Sequence, residues 1–166
     1  MRKFYTDEET AMLQKMVHSV PDRETIVHCD FHAGNTLYQN GEVVVIDMAD
    51  VSYGHPAFDF AAGAFHALLH EQDYIQMSLN LSGENILRFW NELLRSYFGT
   101  DDDKAISEIK DTFTVFALLR SALFPMKHVQ MSEERKLLFV ASARERFFPN
   151  FDLLMKRAGN IGKIFD

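Results

Sequence analysis

One cysteine, Cys29, stands in a chain of 166 residues. That excludes an intramolecular disulfide and any zinc site built on several thiolates, and it fits a reducing compartment. No stretch approaches the roughly 20 apolar residues that a membrane-spanning helix requires. The opening MRKFYTDEET has two basic residues with no apolar run behind them, so it does not read as a signal peptide. Positive charge is also short: 17 Lys and Arg stand against 24 Asp and Glu, a net of -7. An acidic chain gains little from displacing phosphate counterions, which argues against a nucleic-acid partner. The expectation is a soluble cytoplasmic protein with neither a nucleic-acid nor a membrane partner.

Apolar residues are plentiful. They make up 47% of the chain, with 15 phenylalanines, enough to build one sizeable core and to exclude disorder. Neither an internal repeat nor a linker is visible, so residues 1–166 read as one domain. Thr6 and Glu9 have capping-box spacing ahead of Met12, Leu13, Met16 and Val17, which predicts a helix over 6–19 ended by Pro21. Residues 25–29 read as a short extended segment. Asn40-Gly41 supplies the positive φ values of a tight hairpin turn between 36–39 and 42–47. The unbroken run Val43, Val44, Val45, Ile46 predicts a strand covered on both faces.

From Phe58 onward the period becomes helical. Helices are expected over 58–70, from a Ser82 cap to Gly99, from Asp101–Asp103 to just before Pro125, and over 132–148, with a short fifth from Pro149. The fold class is therefore α+β, mostly α: a hairpin-bearing segment on a helical body.

Within residues 25–59, TIVHCDFHAGNTLYQNGEVVVIDMADVSYGHPAFD, polar groups are denser than a packed core needs. Phosphoryl transfer needs a carboxylate to take the proton of the attacking hydroxyl and hard oxygen ligands for Mg²⁺. A catalytic loop of the H-R-D type, followed by four residues and an Asn, meets those needs. Here His28-Cys29-Asp30 is followed by Phe31, His32, Ala33, Gly34 and then Asn35, and Asp47 ends the apolar strand beyond the turn. Each residue also has an ordinary reading: Asp30 in a turn, Asn35 in a left-handed position, Asp47 at a strand end.

The stretch from His28 to Ala61 resembles the C-terminal lobe of the aminoglycoside phosphotransferase and choline kinase-like family. That family carries a pattern close to H-G-D-x-H-x-x-N, a hairpin, then I-D-W/F-E/D and a later D-x-A. The resemblance implies Asp30 as catalytic base and Asn35 and Asp47 as Mg²⁺ ligands. It also implies His28, His32 and Asp59 as residues that support the loop. ATP or GTP would be the co-substrate, and the acceptor a hydroxyl of a small molecule such as an aminoglycoside or choline. Acidic helices lean weakly toward a cationic acceptor.

Three positions depart from the pattern: Cys29 replaces the usual Gly, Met48 the usual aromatic, and His55 a commoner Asp. On this resemblance residues 25–59 are the catalytic segment and 60–166 the helical substrate lobe. The glycine-rich loop and strand lysine of a nucleotide lobe are not found, since the eight glycines form no G-x-G-x-x-G. The expectation is a fragment or a truncated member, with possible self-association through the face that lobe would cover. The alternative is a non-catalytic lobe acting as a binding or dimerisation module.

Other groups read as less informative. Asp50 solvates a loop more readily than it binds a second metal. His66, His70 and His128 read as core or surface residues on helices. A hydrolytic metal cluster of His28, His32 and His55 with Asp30 lacks the spacing of a zinc motif. Cys29 beside a carboxylate is a poor thiolate nucleophile.

Overall fold

Thr6 starts the first helix, α1 (Asp7–Val17), by a reciprocal cap. Its Oγ1 accepts from the Glu9 N–H at 3.1 Å, and Glu9 Oε2 accepts from the Thr6 N–H at 2.8 Å. The same Glu9 carboxylate is held by Arg144, far along the chain, through Nε at 2.7 Å and Nη2 at 3.0 Å. Leu13 and Met16 face inward and are fully buried. The computed structural model describes residues 4–69 and 80–165. It is mostly helical, with two small antiparallel sheets. Among the described residues no helix is long and apolar enough to cross a membrane.

The sheets come from one stretch. Strand β1 (Thr25–Val27) pairs with β4 (Ser52–Gly54) in the register Thr25↔Gly54, Ile26↔Tyr53, Val27↔Ser52. Between them, β2 (Thr36–Gln39) and β3 (Glu42–Val45) form a hairpin, turned at Asn40 and Gly41, whose φ values are 53° and 88°. The outer pair ties the two ends of the polar segment together, and the hairpin is its extension.

The expectation that Val43 to Ile46 is covered on both faces is corrected. Val43 is 67% exposed, and Val44, Val45 and Ile46 between 37 and 39%. An unbroken apolar run reports that two faces prefer burial; it does not say that another element of the described chain lies over them.

The helical body follows: α2 (Ala57–Ala64), running into a wider π-type turn at Phe65–Leu69, then α3 (Gly83–Phe98), α4 (Asp103–Lys127), α5 (Glu133–Arg146), α6 (Phe151–Ala158) and α7 (Ile161–Phe165). Position 70, where the first of these helices was expected to end, lies outside the described residues. Ser82 caps α3 at 3.2 Å to the Asn85 N–H, and Gly99 closes it in the left-handed conformation. Helix α4 does not stop before Pro125 but runs through it to Lys127. Pro125 lies in the last turn, where its missing N–H removes only one backbone bond of the helix, and its ring is buried. The expected short fifth helix is two, α6 and α7, preceded by a single 3₁₀ turn at Phe148–Asn150.

Helix α4 is the axis of the core. It packs along α2, α5, α6 and the turn at Phe65–Leu69. Rings fill the space beside it: Phe60 stacks on Phe113 with centroids 4.8 Å apart, and Phe60 and Trp90 lie 5.9 Å apart. Helices α2 and α3 meet where Gly63 faces Trp90. A Cβ at Gly63 would stand 2.6 Å and 2.8 Å from two Trp90 ring carbons. Trp90 is 1% exposed and has nowhere to move. Overpacking of this kind costs about 1–3 kcal/mol, whereas Ala gains about 1 kcal/mol of helix propensity over Gly. Gly63→Ala is therefore expected to destabilise the protein by roughly 1 kcal/mol or more. A urea melt showing equal or greater stability would contradict this packing.

Candidate active site

The loop between β1 and β2 is bound to the body by one carboxylate. Asp59, in the first turn of α2, accepts from the His28 N–H at 3.1 Å through Oδ2 and from the Cys29 N–H at 2.7 Å through Oδ1. Two successive amides can reach one carboxylate here because Cys29 takes φ 64°. That left-handed conformation costs a residue with a Cβ about 1–2 kcal/mol. Position 29 is where the resembling family has glycine, so the substitution falls on a strained residue. Burial first, then the Asp59 and Asp50 carboxylates, push the Cys29 thiol up, which makes it a poor nucleophile.

His28 joins the loop to the hairpin. Its Nδ1 accepts from the Asp30 N–H at 3.3 Å, which leaves the proton on Nε2, 2.8 Å from the Ile46 carbonyl oxygen. Asn35 makes a second junction. Its carbonyl accepts from the Ile46 N–H at 3.0 Å, and its side-chain Nδ2 donates to the Asp30 carbonyl at 3.0 Å. With the amide nitrogen committed there, Oδ1 of Asn35 is the free end. Asp47 follows Ile46 directly, in a left-handed conformation (φ 61°, ψ 60°) that turns the chain out of β3, and it is exposed. The fold thus brings together Asp30, Asn35 and the residue preceding Asp47. An amide oxygen and a carboxylate at one loop–hairpin junction fit a hard divalent cation such as Mg²⁺, which favours such donors together with phosphates and waters.

Asp30 is held from both sides. Its Oδ1 pairs with Nη2 of Arg120, and its Oδ2 lies 3.9 Å from Nε2 of His32. Arg120 also donates from Nη1 to the Cys29 carbonyl at 2.9 Å. Sequence reasoning missed this arginine, which reaches the loop from α4. One signal was available: Arg120 is the single charged residue between Asp111 and Lys127. An isolated cation on an apolar helix asks for a buried partner, but not for which one.

His32 accepts from the Gly34 N–H through Nδ1 at 3.0 Å, and its ring packs on His66 at 4.2 Å. Burial holds His32 below the usual imidazole range, so it is neutral at pH 7 with its proton on Nε2. Asp30, His32 and His66 offer ligand atoms within 4.8 Å of one another. A metal there would need a lone pair on the protonated Nε2 and would sit beside the Arg120 cation. Both oppose a transition-metal site, and the trio is better described as a packed, hydrogen-bonded wall of the loop.

The remaining candidates fall elsewhere. Asp50 pairs with Lys127, whose hydrogen bond holds its carboxyl below the usual range. His55 is buried and accepts from the Ala57 N–H at 3.1 Å, at the start of α2. His128 follows the end of α4, its ring 3.9 Å from that of Phe124.

A family model described as the phosphotransferase enzyme family matches residues 3–91. The match holds the whole loop and hairpin but not α4, which carries Arg120. No curated protein and no solved structure matches the chain.

Proposed function

The chain belongs to the phosphotransferase enzyme family, and on that premise we propose that it transfers the γ-phosphoryl group of ATP or GTP to a hydroxyl of a small molecule. On this reading the described residues form the C-terminal lobe of a protein-kinase-like fold. The observation that carries it is the double engagement of Asn35. One bond from its side chain orients the Asp30 backbone, and one from its carbonyl anchors the strand end that leads to Asp47. That junction supports reading Asp30 as the base and Asn35 and Asp47 as the two oxygen donors.

The roles follow from the contacts. Asp30 is the general base. Arg120 occupies its Oδ1, so Oδ2 is the atom that accepts the proton of the acceptor hydroxyl. The hydroxyl oxygen forms its bond to the γ-phosphorus as the bond to the nucleoside diphosphate breaks, and the proton ends on Asp30. Asn35 Oδ1 and the Asp47 carboxylate would hold Mg²⁺, which when bound offsets charge on the triphosphate. His28 and Asp59 keep the loop in register, and His32 buttresses it from beneath.

A second reading, a non-catalytic lobe that binds a partner or a second copy of itself, is supported by one feature. The hairpin and its neighbours leave Leu37, Tyr38, Val43, Tyr53 and Ile26 between 46 and 78% exposed. One measurement separates the two. Calorimetric titration with ATP and GTP, with and without Mg²⁺, is expected to show Mg²⁺-dependent binding that Asp47→Ala weakens roughly tenfold or more. Binding indifferent to both Mg²⁺ and Asp47 would displace phosphoryl transfer in favour of the second reading.

A further inference from the structure

The backbone of Asp30 and its side chain are fixed by different groups. Its N–H donates to Nδ1 of His28 at 3.3 Å, and its carbonyl accepts from Nδ2 of Asn35 at 3.0 Å. The loop therefore sets the backbone by itself. Neither bond restrains the carboxylate, which could still turn among the staggered χ1 rotamers. Nε2 of His32 lies 3.9 Å from Oδ2, beyond hydrogen-bonding distance. What restrains the carboxylate comes from α4.

The planar guanidinium of Arg120 meets two acceptors on neighbouring residues. Nη1 donates to the Cys29 carbonyl at 2.9 Å, and Nη2 pairs with Oδ1 of Asp30. The Cys29 carbonyl belongs to the peptide unit that leads into Asp30. One rigid fork thus ties the Asp30 side chain to its own backbone, which selects a single orientation of the carboxylate. The fork is itself held in place. Its side chain is 18% exposed, and the guanidinium carbon lies 6.0 Å from the centre of the Phe65 ring, on the turn against which α4 packs. Two helical turns further on, Lys127 pairs with Asp50 in the short turn after Asp47. Those two side chains are 44 and 42% exposed, and exposed pairs of this kind constrain little.

We propose that Arg120 is a positioning residue for phosphoryl transfer, holding the Asp30 carboxylate in the one rotamer that turns Oδ2 toward the acceptor hydroxyl. It acts through Asp30 and not on the substrates, and the proposal rests on the reading of Asp30 as base. Lysine at this position would keep the charge without the fork. Displacing a reacting group by about 1 Å can cost about 10²-fold in rate, so the effect of losing Arg120 falls on kcat rather than on binding.

Three-bond couplings of the Asp30 side chain, measured by NMR on the 166-residue protein, report its χ1 rotamer whether or not the chain turns over. The parent is expected to show one staggered rotamer, and Arg120→Ala couplings averaged over several. In turnover, Arg120→Ala is expected to lower kcat about 10²-fold with KM for nucleotide and acceptor within about twofold. Arg120→Lys is expected to lower kcat about tenfold, and it is the safeguard should Arg120→Ala misfold. Guanidinium at about 20 mM is expected to raise the Arg120→Ala rate roughly tenfold where sodium does not, a rescue that a merely structural role would not give. Parent-like Asp30 couplings or a parent-like kcat in either folded variant overturns the proposal, as does a loss of rate in Arg120→Ala that guanidinium leaves untouched. Parent-rate turnover by Asp30→Ala is a separate failure, that of the base, and is told apart by Asp30 couplings that still average in the Arg120 variants.

Discussion

Replacing Asp30 with alanine is expected to lower phosphoryl transfer by about 10³-fold, equivalent to roughly 4 kcal/mol of barrier. The size follows from what is removed. Without Oδ2 no group at this position takes the proton of the attacking hydroxyl, and His32, neutral with its proton on Nε2, cannot substitute. Binding and positioning persist, because the loop is held by backbone bonds to His28, Asn35 and Asp59 rather than by the Asp30 side chain. The change should therefore fall on kcat, with KM for nucleotide and acceptor nearly preserved. Initial rates of nucleoside diphosphate release in the presence of acceptor measure it. An Asp30→Ala protein turning over at the parent rate would remove Asp30 from the chemistry. A melting curve run in parallel shows that any loss is not unfolding, since removing this carboxylate also strips Arg120 of one partner.

Asp59→Ala should act on stability instead, lowering it by about 3 kcal/mol. Two hydrogen bonds from backbone amides to one carboxylate are lost together, and hydrogen bonds to charged groups are worth about 1.5–3 kcal/mol each. For a chain of this size that corresponds to a fall in Tm of roughly 6–12 °C. The left-handed turn should persist, because Arg120 still holds the Cys29 carbonyl and His28 still bonds Asp30 and Ile46. Cys29→Gly tests the mechanism within the same background. Glycine adopts φ near 64° without strain, so it should restore about 1 kcal/mol of what Asp59→Ala removes. If Asp59→Ala melts with the parent, or Cys29→Gly worsens it, the carboxylate does not stabilise the turn.

Much of the local structure was legible in the chain. The capping box at Thr6 and Glu9, the turn at Asn40-Gly41, the Ser82 cap and the Gly99 stop each depend on a few adjacent residues, and each lies where it was expected. The strand Ser52–Gly54 was not anticipated: three residues carry no usable period, and it exists only because β1 pairs with it. The exposure of Val43 to Ile46, the passage of α4 through Pro125 and the contact of His66 with His32 were equally unreadable, for each is settled by what lies alongside.

The same division runs through the candidate site. Sequence alone determined the family and the spacing of Asp30, Asn35 and Asp47, because a loop and hairpin are built by short-range bonds between near neighbours. Only the tertiary structure decided how that loop is held. It brought Asp59 under the strained turn at Cys29, and Arg120, from a helix 90 residues away in sequence, onto Asp30. Such pairings depend on how helices pack, and packing brings together residues whose separation along the chain says nothing of their distance in space.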